Sequence, residues 1–194
     1  MAQPIPPEAV WHLVQVSDPS LSPDGALLAC VRTRADREAQ EARSEVWLLS
    51  LRDGGRRRLT RGPRDAFPRF SPDGRLLAFL RPDEKGRRQV WLLPMGGGEP
   101  WQATRLPGGV YEVAWSPDGR RLAFTADLPA EEGRVRVVRR IRYRHDGLGW
   151  RGDTYRHLFV LEVDTGQVRR LTEGDYDHYA PHWSPDGSRI TVTV

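Results

Sequence analysis

The chain has 194 residues, 38% of them hydrophobic and 29% charged, which is the composition of a soluble globular protein long enough for one good-sized core or for a few repeats of a larger array. No apolar run approaches the ~18 residues needed to cross a bilayer, and the first ten residues lack the basic and apolar stretches of a secretory signal, so a cytoplasmic location without a membrane partner is expected. The net charge of +4 invites a nucleic-acid reading, but Lys85 is the only lysine among the 30 cationic side chains; the excess reads as arginine usage, and no nucleic-acid partner is expected.

In chain order, residues 1–20 form a proline-containing lead-in with a turn of helix around Glu8–Val14. Ser22-Pro23-Asp24-Gly25 follows, the first of four such tetrapeptides; the others are Ser71–Gly74, Ser116–Gly119 and Ser184–Gly187, with starts 49, 45 and 68 residues apart. Proline presets φ at the second position, aspartate bonds the local backbone, and glycine accepts positive φ, so each tetrapeptide is a hairpin turn. Leu21, Phe70, Trp115 or Trp183 precedes it, and a strand-like run follows at 26–31, 75–80, 120–125 or 188–194. Cys30 lies in the first of these runs; as the single cysteine it excludes a disulfide framework and points to core packing.

A third strand recurs as Val46–Leu49, Val90–Leu93 and Leu158–Leu161, and a fourth ends at Leu59-Thr60, Ala103-Thr104 and Leu171-Thr172, the interval from third strand to that ending being 13 residues each time. Asp53-Gly54-Gly55, Gly96-Gly97-Gly98 and Asp164-Thr165-Gly166 supply the turn between them. Each unit is therefore a four-stranded antiparallel meander. Runs such as Leu76–Leu80 are apolar at consecutive positions, so both sheet faces are expected to be buried, as in a propeller blade stacked between neighbours; a β-sandwich would leave one face polar. The predicted fold is all-β: a β-propeller of about three and a half blades with Ser-Pro-Asp-Gly repeats of the TolB-like, PD40 type. Its predicted divisions are a lead-in over 1–20, blade 1 over 21–61, blade 2 over 62–105, blade 3 over 106–173 and an incomplete blade 4 over 174–194. A chain of this kind is expected to be part of a longer propeller and to self-associate through an exposed blade edge when isolated.

The irregular length falls between second and third strands, at 32–45, 81–88 and 126–157. The third insertion carries eight arginines against five carboxylates, nearly all of the net charge of +4. Alternation over Val135–Tyr143 predicts an extended arm with a cationic face. The arm is either simply solvated or a lid or docking element for a carboxylate-bearing partner such as a peptide; a single-strand nucleic-acid reading with Tyr143, Trp150 and Tyr155 as stacking platforms ranks below both.

Asp175, Asp177, His178 and His182 cluster in sequence, but histidines four apart on a strand lie too far apart to share one ion without further ligands, so no metal is expected. Gly96-Gly97-Gly98 opens no helix and carries no phosphate-loop lysine. No Gly-x-Ser-x-Gly occurs, so no catalytic residue and no cofactor are assigned.

With these motifs assembled, the chain resembles the N-terminal propeller of prolyl-oligopeptidase (S9) family serine peptidases, in the acylaminoacyl-peptidase and dipeptidyl-peptidase-like branch. The resemblance rests on Val16-Ser17-Asp18-Pro19-Ser20-Leu21-Ser22-Pro23-Asp24-Gly25, on the repeated aromatic-Ser-Pro-Asp-Gly stretches, and on Ile141-Arg142-Tyr143-Arg144-His145-Asp146-Gly147 leading to His157-Leu158-Phe159-Val160. It implies a non-catalytic segment that gates access to an α/β-hydrolase domain, absent from this chain, which would hydrolyse short or N-acylated peptides. It also implies two partners, that hydrolase domain of the same polypeptide and, through it, the peptide substrate. Arg142, Tyr143, Arg144 and Asp146 are then expected near the inter-domain cavity as substrate-gating or domain-docking residues. The alternative is a TolB-like stand-alone propeller serving as a protein–protein interaction module.

Overall fold

A computed structural model describes residues 6–128, 144–145, 149–150 and 154–194. A 3-10 helical turn, Pro7–His12, precedes the first sheet, formed by β1 (Val14–Leu21), β2 (Leu27–Asp36), β3 (Glu41–Ser50) and β4 (Arg56–Arg58) in that order. The second sheet repeats the order with β5 (Ala66–Phe70), β6 (Leu76–Pro82), β7 (Arg88–Pro94) and β8 (Trp101–Gln102). The third contains β9 (Val110–Trp115), β10 (Arg121–Asp127), β13 (Arg156–Glu162) and β14 (Val168–Arg170), with a two-strand ladder, β11 (Arg144–His145) and β12 (Gly149–Trp150), inside its long insertion. β15 (Tyr179–Trp183) and β16 (Ile190–Thr193) form a final hairpin. The first sheet starts at Val14, inside the stretch expected to be lead-in, because Val14 to Ser17 already pair with Arg34 to Val31.

The four turns share one bonding scheme. In the first, the Ser22 hydroxyl donates to Asp24 Oδ1 at 2.6 Å, and Leu27 N–H donates to Ser22 Oγ at 2.8 Å. Gly25, at φ 69°, closes the turn with its N–H on the Ser22 carbonyl at 2.9 Å. Serine therefore receives from the strand and gives to the aspartate, which explains why these two residue types recur together. The serine hydroxyl is also the first cause that lowers the Asp24, Asp73 and Asp118 carboxyls below the usual range, and Asp186, with Ser188 also donating, falls to about 2. The contribution of each turn is complete above pH about 4, the carboxyl's ordinary range, and is lost as pH falls through the lowered value.

The threonine that ends each meander reaches back to the start of the third strand. Thr60 Oγ1 accepts from Val46 N–H at 3.0 Å and Thr172 Oγ1 from Leu158 N–H at 2.9 Å, while the Thr104 hydroxyl donates to buried Gln89 at 2.9 Å. The fixed interval in the sequence is the loop length that lets this bond close.

The chain divides into two compact units, one of residues up to Gly86 with Val90–Gln102, the other of Arg87–Gln89 with Ala103–Val194. In the first, Ala29, Val46 and Leu48 pack against Phe70, Leu77, Phe79 and Leu93. In the second, Ala123, Leu158 and Val160 pack against Trp183, Ile190 and Val192, and Trp183 Nε1 donates to the Ala114 carbonyl at 3.1 Å. Both faces of β6 and of β10 are buried, since Leu77 through Leu80 and Leu122 through Phe124 are all 0% exposed. The first sheet departs from that expectation: Val14, Val16 and Leu21 stand exposed, and Cys30 is only half-buried, paired beside Trp47 on the face opposite the Ala29 core. A bulge also recurs four residues before the turn serine, where Asp18, Phe67 and Ala180 take positive φ and the strand register slips.

Candidate functional site

The long insertion leaves the third sheet from neighbouring points. β10 ends at Asp127 and β13 begins at Arg156, these two residues are cross-strand partners, and Leu128 N–H reaches the Tyr155 carbonyl at 3.4 Å. Of the expected gating residues, Arg142, Tyr143 and Asp146 lie outside the described residues. Arg144 is described through its backbone, paired with Trp150 in the β11–β12 ladder.

At the root the structure brings together residues from four strands, β9, β10, β13 and β15. Arg156 is 9% exposed, and its guanidinium lies 3.4 Å from the centre of the Tyr111 ring and 4.9 Å from that of Tyr179. Its Nε is 3.5 Å from Asp127 Oδ1, and the Tyr111 hydroxyl donates to Asp127 Oδ2 at 2.6 Å. The cation is thus held by two π faces and one carboxylate, a combination that suits arginine because its planar, weakly hydrated head tolerates burial. Burial first, and then the bond to Asp127, pushes the Tyr111 phenol up, so it stays a neutral donor. Gly108 completes the packing: a Cβ there would overlap the Asp127 carbonyl.

The backbone of Arg156 is equally occupied. Its N–H donates to Asp177 Oδ1 at 2.9 Å, and its carbonyl accepts from His178 N–H at 2.9 Å and from His178 Nδ1 at 3.0 Å. A carbonyl only accepts, so His178 carries a proton on Nδ1. The neighbouring His157 is buried, lies 5.7 Å from the His178 ring, and contacts Thr172 Oγ1 through Nδ1 at 3.3 Å. Burial, followed by Arg170 and His178, lowers its pKa, which favours the neutral imidazole. One residue, Arg156, therefore ties together β9, β10, β13 and β15. Its position at the end of a long insertion, opposite an aspartate, was the available signal; the tyrosines were not findable, because cross-strand and cross-sheet neighbours depend on register.

The Asp177–His182 stretch is spent on these bonds, His182 Nδ1 contacting its own segment at the Ala180 carbonyl. Among the described residues no group of three or more His, Cys, Asp or Glu is placed to hold a metal ion, and no helix is long and apolar enough to cross a membrane. The root cluster presents donors and acceptors already paired with one another, so its chemistry is that of an anchor.

The fold and this architecture define a class, the β-propeller segment built of four-stranded meanders, and comparison with known proteins narrows it. No family model matches the chain. An uncharacterized peptidase, YuxL, of Bacillus subtilis is 32% identical over 100% of this chain and 32% of its own length. Dipeptidyl-peptidase 5 of Porphyromonas endodontalis is 32% identical over 96% of this chain and 29% of its own. Among solved structures, the acylaminoacyl peptidase of Pyrococcus horikoshii superposes with a TM-score of 0.81 at 22% identity, over 96% of this chain and 29% of that one. The β-propeller domain of the Trilobed protease from Pyrococcus furiosus superposes with 0.63 at 19% identity, over 92% and 48%. The chain is a β-propeller segment of the S9 serine-peptidase kind. It spans about a third of the length of the relatives it matches.

Proposed function

We propose that this chain is the non-catalytic propeller portion of a serine peptidase that hydrolyses short or N-acylated peptides, and that it gates substrate access to an α/β-hydrolase domain of the same polypeptide. The observation that carries the reading is likeness along the whole chain to proteins named peptidases, each about three times its length. A TolB-like interaction module does not explain that likeness. On this reading Arg142, Tyr143, Arg144 and Asp146 act as substrate-gating or domain-docking residues, with arginine chosen for its bidentate hold on a carboxylate. The blade divisions proposed from the repeat, a cytoplasmic location, and self-association of the isolated segment through its open edge belong to the same reading.

The test is kinetic. In the full-length polypeptide, Arg144→Ala should lower kcat/KM for an N-acylated dipeptide or tripeptide on the order of tenfold while the hydrolase domain keeps its fold. Unchanged kcat/KM together with unchanged association of the two domains overturns the assignment of these residues. A native mass from the source organism equal to 22.1 kDa overturns the peptidase reading itself.

A further inference from the structure

The edge of the first sheet carries three consecutive arginines, Arg56, Arg57 and Arg58, all exposed. Ser50 N–H donates to the Gly55 carbonyl and Leu59 N–H to the Val46 carbonyl, so residues 55, 57 and 59 face β3. Antiparallel alternation then turns the N–H and C=O of Arg56 and Arg58 away from the sheet. β4 stands at the end of the strand order, so no strand of its own sheet takes up those groups.

The side chains divide by face. Arg57 pairs with Leu48, and Arg56 and Arg58 pair with Leu49 and Trp47 on the other side. Leu27, Leu48, Ser50, Gly55, Arg56 and Arg57 line a groove beside the edge, with Leu27 and Leu48 its apolar members. Asp53 also lines it, its carboxylate engaged by the Ser50 hydroxyl and by Gly55 N–H at 2.9 Å. Arg58 is ion-paired with Glu45 at 3.1 Å, which leaves most of the positive charge of the edge without a carboxylate among the described residues. Charged residues on an edge disfavour pairing with uncharged strands, which would desolvate them, and repel like-charged ones. An edge of one sign attracts the opposite sign, and opposite charges placed directly across a strand pair are stabilising.

We propose that β4 is a docking edge for an extended acidic peptide segment, which adds as a fifth strand with acidic residues opposite Arg56 and Arg58 and an apolar residue opposite Arg57, directed to the groove. The outward backbone groups supply affinity, and the acidic–apolar–acidic alternation supplies register. This inference is independent of the peptidase reading.

A fluorescein-labelled, acetylated peptide with the core Glu-Leu-Glu, titrated with the protein at low salt and followed by anisotropy, tests it. Saturable binding is expected, weakened on the order of tenfold by Arg56→Glu with Arg57→Glu and to a similar extent by N-methylation of the two glutamate amides. These arginines are exposed, so unchanged circular dichroism and melting confirm that the variant still folds. Failure of the peptide to saturate overturns the proposal. So does equal binding of a Lys-Leu-Lys peptide, or binding that N-methylation leaves intact, which would reduce the edge to diffuse charge attraction.

Discussion

Asp65 with Arg81 in the first unit and Asp127 with Arg156 in the second both join an aspartate to an arginine near the end of a sheet's second strand, yet they hold the arginine differently. Asp65 is fully buried and takes Arg81 in a bidentate pair at 2.7 and 2.8 Å, while Oδ2 also accepts Gly62 N–H at 3.1 Å. Arg81 lies about 5 Å from the Phe79 and Trp91 ring centres. In the second anchor the carboxylate contact lengthens to 3.5 Å, and the close partner is the Tyr111 ring at 3.4 Å. The first anchor serves a short connection between sheets and works by charge and hydrogen bonds. The second serves the root of a long insertion and adds a closer aromatic face, Tyr111, and bonds to the arginine's own backbone. Support of this kind is expected to survive the loss of the carboxylate better than a bidentate pair does.

The largest expected effect follows directly. Asp65→Ala strands Arg81 and the Gly62 N–H together, and should cost about 3–5 kcal/mol in urea unfolding. Asp127→Ala strands the Tyr111 hydroxyl but leaves Arg156 between its tyrosines, and should cost about 1–3 kcal/mol. Equal losses would erase the contrast between the anchors.

Next in size is glycine packing. Gly108→Ala would drive a Cβ into the Asp127 carbonyl, a backbone atom that yields only if the strand end shifts. The expected cost is about 1–3 kcal/mol, with faster amide exchange at Leu128 and Arg156. Gly62→Ala meets the side-chain atoms of Asp65 and Arg81 instead, so its damage should shrink in an Asp65→Ala background, where the released Arg81 side chain can move aside, while that of Gly108→Ala does not.

The smallest effect is on pH. His157 is held below its ordinary pKa by burial and by nearby Arg170 and His178, against the opposing pull of Asp177 and Glu173. The unfolded chain binds a proton near pH 6.5 that the folded chain resists, so this contribution to stability is complete above that pH and declines as pH falls through it. The melting temperature should therefore drop between pH 7.5 and 5 by more in the wild type than in His157→Gln. Identical slopes would show that the imidazole is not protected in the fold.

Legibility divided along the same line as the anchors. The four turns were readable because Ser22, Pro23, Asp24 and Gly25 meet their bonding needs within six residues, and the copies do the same. The returning threonine was visible as a fixed interval, although its bond to Val46 N–H was not. The root cluster is hidden: Tyr111 and Asp177 are 66 positions apart, and they meet Asp127 and Arg156 only through the register of β9, β10 and β13 and the segment leading into β15. The exposure of Val14 and Val16 in the first sheet is not legible for a related reason, since burial depends on what stacks against a strand.

Local chemistry was enough to dictate the meander, the turn positions and the number of strands per sheet, because turn residues, strand periodicity and loop intervals act over about a dozen residues. Which face of each sheet is covered, where a buried cation finds its aromatic partners, and which edge carries free backbone groups were decided only in three dimensions. Those properties come from strand register and sheet stacking, which bring together residues that no local spacing relates.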